Sequence, residues 1–434
     1  MSPLLFVRAL GRASDATTPD ERMRDVKIYR VGGSVRDELL GRAVADRDYV
    51  VVGTTPEEML AQGFRPVGRE FPVFLHPTTH EEYALARTER KQGRGHRGFT
   101  FHAAPDVTLE QDLARRDLTL NAMARDPDGR LIDPYGGAAD LERGVLRHVG
   151  ASFVEDPLRV LRVARFAARF GFTVARETEA LLERIAASGE LATLTPERVW
   201  RELATALMEA HPSRFFSLLH RCGALAQLLP EVDRAFPVRS RRSAQSDVES
   251  HMPLLRALDA AAAAGDSLTV RYAVLAGNLG APGSATARRN SAGSLRLTAT
   301  VNRRLRAPAE CSALALLLAR HGAKLERARE LRAAELLDLL IAVDALRRPA
   351  RLEHLLRACA LVGSARTGRA EADYAPSAYL RAALQVLRSV NASAIAAKAA
   401  PRETLGKRLR AARLKALQQW MRSTAVKQVR KNQQ

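Results

Sequence analysis

The chain has 434 residues, and 68 Lys and Arg against 48 Asp and Glu give a formal net charge of +20. That length points to several domains. A content of 46% hydrophobic and 27% charged residues excludes general disorder, and no apolar run approaches a membrane span. The charge excess makes a polyanion the expected partner, while 5% aromatic residues argue against a surface of many base-stacking platforms. Cys222, Cys311 and Cys359 are far apart and lack metal-ligand spacing, which suits a reducing, cytoplasmic setting better than a disulfide framework.

Residues 1–25 carry Arg8, Arg12, Arg22 and Arg24 without an apolar core of signal-peptide length. A flexible extension is expected there, with Met23 as an alternative start. The pattern then predicts a strand over Lys27–Val31, a break at Gly32-Gly33, and a helix from Ser34 to Leu40 with Ser34 as N-cap. A second strand is predicted over Asp48–Val52. A helix opens at Thr55-Pro56-Glu57-Glu58, with proline in its first turn. Further strands are predicted over Val73–His76 and Glu82–Thr88, so residues 26–150 read as a mixed α/β domain.

Beyond Phe153 the composition turns to Ala, Leu and Arg, and the rest reads as helix, broken near Arg234–Ser250 and Gly280–Ser294. The final stretch, Arg402–Gln434, holds ten Lys and Arg against Glu403 alone. It reads as a basic helical tail suited to nucleic acid.

Two elements carry chemistry. A strand that runs through Gly32-Gly33 into a helix offers free N–H groups and a helix dipole to a phosphate, and Arg36 in the first turn adds a charge-assisted donor. Thirteen residues after Gly33, Asp46-Arg47-Asp48 leads into an apolar strand. Strand alternation puts residues 46 and 48 on one side, where two carboxylates can share Mg²⁺ with substrate phosphates and support two-metal phosphoryl transfer.

Together, Gly32-Gly33-Ser34-Val35-Arg36-Asp37 and Asp46-Arg47-Asp48 resemble the signature of class II, bacterial-type CCA-adding tRNA nucleotidyltransferases and poly(A) polymerases. The resemblance continues in order through Arg115-Arg116-Asp117, Asp133-Pro134-Tyr135-Gly136-Gly137, Glu155-Asp156-Pro157-Leu158-Arg159 with Arg162 and Arg165, and Pro196-Glu197-Arg198. It implies an α+β fold: a nucleotidyltransferase (polymerase-β-like) palm head followed by an all-α neck, body and tail. The expected divisions are a head over 26–150, a neck over 151–230, a body over 231–350 and a tRNA-binding tail over 351–434. The implied reaction is template-independent addition of C, C and A to the tRNA 3′ end from CTP and ATP, with Mg²⁺ and no membrane.

The resemblance also implies roles. Asp46 and Asp48 would hold the metal, with Glu82 a candidate third carboxylate. Gly33, Arg36, Arg116, Arg162 and Arg165 would meet the triphosphate, and Asp117 a ribose hydroxyl. Asp156 and Arg159 would read the base edge: Asp accepts from the exocyclic amine that cytosine and adenine share, and Arg donates to ring acceptors. Glu155, Glu197 and Arg198 would support that helix, and Asp133–Leu141 would be a hinge.

The multifunctional members of the family carry a metal-binding His-Asp pair in the body. Here Gly277-Asn278 stands in its place, Arg288-Arg289-Asn290-Ser291 replaces a later His-rich stretch, and His251 is a lone remnant. No HD-type phosphohydrolase activity is expected. Two alternatives remain: a poly(A) polymerase, disfavoured by Gly68-Arg69-Glu70-Phe71-Pro72, and a non-catalytic RNA-binding protein, disfavoured by the intact aspartate pair.

Overall fold

The structure, a computed structural model, describes residues 26–44, 46–67, 73–91, 99–236, 252–279, 291–371, 374–397 and 405–432. The N-terminal extension, the Gly68–Pro72 element, His251 and Arg288–Asn290 lie outside these residues. The described residues form two compact units, one of residues up to 202 with 214–228, the other of 203–213 with 229 onward.

The first unit begins with β1 (Lys27–Val31), α1 (Gly33–Leu39), β2 (Asp48–Val52), α2 (Pro56–Ala61), β3 (Arg65–Pro66), β4 (Val73–Leu75) and β5 (Glu82–Leu85). A hairpin of β6 (Thr88–Lys91) and β7 (Phe99–His102) follows, then α3 (Leu109–Ala114), β8 (Ala124–Arg125), β9 (Leu131–Ile132), α4 (Gly137–Arg143) and β10 (Val145–Leu146). The main sheet has the order β3-β4-β5-β2-β1-β8-β9, antiparallel except for β2 against β5.

Alternation along β1 and β2 gives this sheet two apolar faces. Ile28, Tyr49, Val51, Tyr83 and Leu85 pack with Met59, Phe64 and Phe74. Val31 and Val50 pack with Leu109, Leu113 and Ala122. Asp48 pairs with Val31 in register and precedes Val50 by two, so it shares the second face.

Two local expectations change. Ser34 is not the N-cap of α1: Gly32 holds that position, and the Ser34 hydroxyl donates back to the Val31 carbonyl at 3.0 Å. The stretch predicted as one strand from Glu82 to Thr88 breaks at Ala86-Arg87, where β5 ends before the separate hairpin. The helix at Pro56 starts as expected, with Thr55 and Glu58 completing a capping box.

The unit continues with α5 (Leu158–Phe170), β11 (Thr173–Val174), α6 (Arg176–Ala187), α7 (Pro196–Met208, which passes into the second unit at Leu203), α8 (Pro212–Arg221, back in the first unit from Arg214) and α9 (Ala224–Leu228). The expected all-α neck therefore carries one short strand, β11, which pairs in parallel with β10. The putting together of Asp133 and α4 is tight: the Asp133 carboxylate accepts from the N–H groups of Gly137 (2.7 Å) and Ala138 (2.9 Å). A Cβ on Gly137 would fall 2.2 Å from the Thr119 carbonyl oxygen, so only glycine fits this approach.

The second unit is helical: α10 (Pro230–Asp233), α11 (Pro253–Ala263), α12 (Leu268–Ala276), α13 (Ser291–Leu305), α14 (Ala309–Glu326), α15 (Ala333–Ala342), α16 (Pro349–Thr367), α17 (Ala375–Arg388), α18 (Ala392–Ala397) and α19 (Leu405–Asn432). Its core is α12, with residues Val270–Ala276 all buried. The Arg271 side chain is among them and donates to the carbonyls of Asp266 and Leu207, both at 2.7 Å. Cys222, Cys311 and Cys359 are buried and unbridged. Among the described residues, no helix is long and apolar enough to cross a membrane.

Candidate active site

Within the first unit, α1, β2, α5, α7 and the segment that follows α3 (Arg115–Asn121) line a cleft of about 550 Å³. Eight arginines face it (Arg36, Arg115, Arg116, Arg159, Arg162, Arg165, Arg169 and Arg198) against Asp48, Asp117 and Asp156. Such an excess of cations in one concavity selects a multiply charged anion.

The turn before α1 explains one wall. Gly32 has φ +69°, in the region where an L side chain is strained, and a Cβ there would lie 2.6 Å from Arg116 Nη1. Gly33, the glycine singled out from sequence, has ordinary space: its Cβ would meet only Arg36, at 3.5 Å. Gly32→Ala is therefore expected to displace Arg116 and destabilise the fold by about 1–3 kcal/mol, whereas Gly33→Ala leaves the melting temperature nearly unchanged. Thermal unfolding of the two variants checks this.

Arg36 is buried, and its Nε donates to Asp37 Oδ1 at 2.8 Å while Nη1 bonds Asn121 Oδ1. Burial lowers its pKa, and the neighbouring Asp37 opposes the shift. Asn121 passes the connection on, donating to Asp117 Oδ1 at 3.0 Å. The other Asp117 oxygen accepts from Arg162 Nε at 2.7 Å. Burial alone would raise Asp117, but Arg162, Asn121 and Arg159 outweigh it and hold the carboxyl well below the usual range. Asp117 is thus a fixed anion that orients Arg162.

Arg115 and Arg116 are anchored by Asp112, which is fully buried. Its Oδ1 accepts from Arg115 Nη2 at 2.7 Å and its Oδ2 from Arg116 Nη2 at 3.3 Å. Arg159 donates to the carbonyls of Ser152 (2.8 Å) and Arg115 (2.6 Å). Asp156 divides its carboxylate: Oδ1 accepts from the N–H of Leu158, the first residue of α5, at 3.0 Å, and Oδ2 accepts from Arg198 Nη2 at 3.0 Å. Arg165 Nε donates to Glu202 at 2.7 Å, and Arg169 donates to Asp37 at 3.0 Å. Glu155 and Glu197 do not line the cleft.

Asp48 stands at the edge of the cleft, and Asp46 lies close enough for its charge to act on it. Partial removal from water raises the Asp48 pKa first, and Asp46 raises it further against the pull of Arg116. Two exposed carboxylates, offering only hard oxygen donors and repelling each other, suit a divalent cation. Glu82 is the register partner of Asp48 across β2 and β5. Among the described residues no three His, Cys, Asp or Glu gather as a metal cluster.

Sequence reasoning missed Asp112, Asn121 and Glu202. The first two have a local signal. Asp112 is three and four residues before Arg115 and Arg116 on a helix, and Asn121 is four after Asp117. Glu202 lies 37 residues from Arg165 and has none.

A mixed sheet carrying paired aspartates, beside an arginine cleft and ahead of a helical remainder, defines a nucleotidyltransferase. Residues 28–147 match the poly A polymerase head domain, and residues 171–236 match the probable RNA and SrmB-binding site of polymerase A. The chain is 53% identical to the multifunctional CCA protein of Nitrosomonas europaea, covering 86% of this chain and 91% of that one. It is 51% identical to the multifunctional CCA protein of Laribacter hongkongensis, covering 91% and 98%. The fold is similar to that of the Bacillus stearothermophilus CCA-adding enzyme in complex with CTP (TM-score 0.62, 23% identity, 99% and 100% covered). The chain belongs to the multifunctional CCA protein family.

Proposed function

We propose that this chain adds C, C and A to the 3′ end of tRNA, using CTP and ATP and releasing pyrophosphate, without a nucleic-acid template. The observation that carries the reading is the cleft itself: eight arginines ending at Asp48, in a chain more than half identical to multifunctional CCA proteins. The tRNA 3′-hydroxyl oxygen bonds to the α-phosphorus of the nucleotide, and the bond from that phosphorus to the bridging oxygen of the β-phosphate breaks. Arg36, Arg116, Arg162 and Arg165 receive the triphosphate and the growing charge on the departing pyrophosphate. Asp46 and Asp48 would hold Mg²⁺, which when bound lowers the hydroxyl pKa and neutralises phosphate charge.

Asp156 and Arg159 serve as the template. Arg198 and the α5 N-terminus hold the carboxylate, and two carbonyls hold the guanidinium. The pair therefore meets a base with little reorganisation, accepting from the amine of cytosine or adenine. Uracil and guanine present the wrong pattern, a carbonyl oxygen where cytosine and adenine carry that amine.

The test uses purified protein, Mg²⁺ and a tRNA transcript ending before CCA, given CTP, ATP or both, with the 3′ ends sequenced. Addition that stops after CCA is expected. Long A tails, or C addition without the final A, would overturn the reading in favour of a poly(A) polymerase or a split-function enzyme.

The body lacks HD-type hydrolysis in this reading, and its packing supports that. A Cβ on Gly277 would fall 2.7 Å from the Ala273 carbonyl, 2.8 Å from the Ala315 carbonyl and 2.9 Å from Leu318 Cβ, so α12 and α14 leave no room for a ligand side chain. Gly277→His with Asn278→Asp is expected to cost about 1–3 kcal/mol through overpacking, without gain of metal-dependent phosphodiesterase activity. Unfolding in urea and a phosphodiesterase assay check both parts.

A further inference from the structure

The arginine stripe of α5 is interleaved with aromatic rings. Phe166 and Phe170 lie among the arginines with their rings stacked, centroids 6.0 Å apart and planes within 3°. The guanidinium carbons of Arg165, Arg36 and Arg162 lie 4.5, 5.4 and 5.8 Å from the Phe166 centroid. Those of Arg42, Arg36 and Arg169 lie 4.9, 5.0 and 5.2 Å from the Phe170 centroid. Phe166 is 4% exposed and lines the cleft. A buried phenylalanine surrounded by guanidinium groups is not ordinary core packing.

Three like charges around one ring repel. Each of the three is also tethered at Nε to a carboxylate: Arg36 to Asp37, Arg162 to Asp117 and Arg165 to Glu202. Those tethers fix one edge of Arg162 and of Arg165 but not their planes, while Arg36 is held a second time, by Nη1 to Asn121. The negative π face of the ring attracts all three at once and offsets their repulsion.

We propose that Phe166 is a positioning residue that holds Arg36, Arg162 and Arg165 as a preassembled cradle for the polyphosphate of the incoming nucleotide. The proposal rests on the reading of the cleft as a nucleotide site. A leucine would fill similar space but present no π face, so the three guanidiniums would have to be reassembled by each nucleotide that binds.

The test reads binding of inorganic tripolyphosphate to the full chain by calorimetry. It compares the wild type with Phe166→Leu, Phe166→Tyr and a trifluorinated phenylalanine at position 166, which keeps the ring shape but weakens its negative face. Affinity is expected to fall about tenfold in Phe166→Leu and in the fluorinated protein, and to stay near the wild type in Phe166→Tyr. In the addition assay, KM for CTP and ATP should rise together, by more than kcat falls. A fluorinated protein that binds like the wild type would overturn the proposal. So would Phe166→Tyr as weak as Phe166→Leu, or a wild type that binds no tripolyphosphate. Because the readout is binding, the expected pattern in a protein that adds no nucleotide would support the cradle and sink only the reaction.

Discussion

Asp48→Ala is expected to abolish nucleotide addition while leaving the protein folded and able to bind tRNA. Losing several kcal/mol of transition-state charge stabilisation corresponds to a fall in kcat of about 10³-fold or more. Asp46→Ala should behave alike, because the two carboxylates act on one centre and their losses will not add. The stability cost is small by contrast. Asp48 is exposed at the entrance to β2, and its backbone pairing with Val31 does not depend on the side chain. Surface changes of this kind usually shift stability by no more than about 0.5 kcal/mol. Single-turnover assays with the CCA-less transcript, beside filter binding of the same RNA, separate the two effects. A variant that kept more than a tenth of wild-type turnover would show that the aspartate pair does not hold the catalytic metal.

The parts of the site that were legible in sequence are those whose chemistry needs neighbours close along the chain. A helix start that receives phosphate needs small residues in succession, so Gly32-Gly33 stood out. The structure shows that the backbone demand falls on the first of them. Paired carboxylates at positions 46 and 48 and the arginines of α5 were visible through strand and helix periodicity. What the arginines are bonded to was less visible. A sequence can show that buried guanidiniums need anions, but not whether substrate or protein supplies them. Here protein carboxylates take the Nε edge of Arg36, Arg162 and Arg165, and one of these, Glu202, lies on a different helix far along the chain.

The fold shows the same division. Long periodic helices and the strands β1 and β2 were readable, whereas two-residue strands such as β3, β8 and β11 exist only because a neighbour completes their hydrogen bonds. No local pattern announces them. Ser34 misled for a related reason. It is a good capping residue by type, but the positive φ of Gly32 starts the helix earlier, and the hydroxyl turns back to the strand instead.

Asp112→Ala is expected to destabilise the first unit by about 3–5 kcal/mol. The carboxylate is fully buried and accepts from Arg115 Nε (3.0 Å), Arg115 Nη2 (2.7 Å), Arg116 Nη2 (3.3 Å) and the Arg87 N–H (3.4 Å). Removing it strips two guanidinium groups of their buried counter-charge. The damage reaches the cleft by two routes. Arg116 borders the Gly32 turn, and the Arg115 carbonyl anchors Arg159. Asp112→Asn keeps the shape and removes the charge, so it should fold better than the alanine variant and still raise KM for both nucleotides. The pH dependence follows from the direction of the shift. Burial would raise the Asp112 pKa, but Arg115 and Arg116 overcome it and the folded value is depressed. A depressed folded pKa contributes stability that is complete above the unfolded value, about 3.9, and is lost as the pH falls through the folded one. The wild-type melting temperature should therefore drop more steeply below about pH 4 than that of Asp112→Asn. Parallel melting curves from pH 7 to pH 3 would mean that Asp112 has the same pKa in the folded and unfolded protein, so that Arg115 and Arg116 give its carboxylate no net stabilisation.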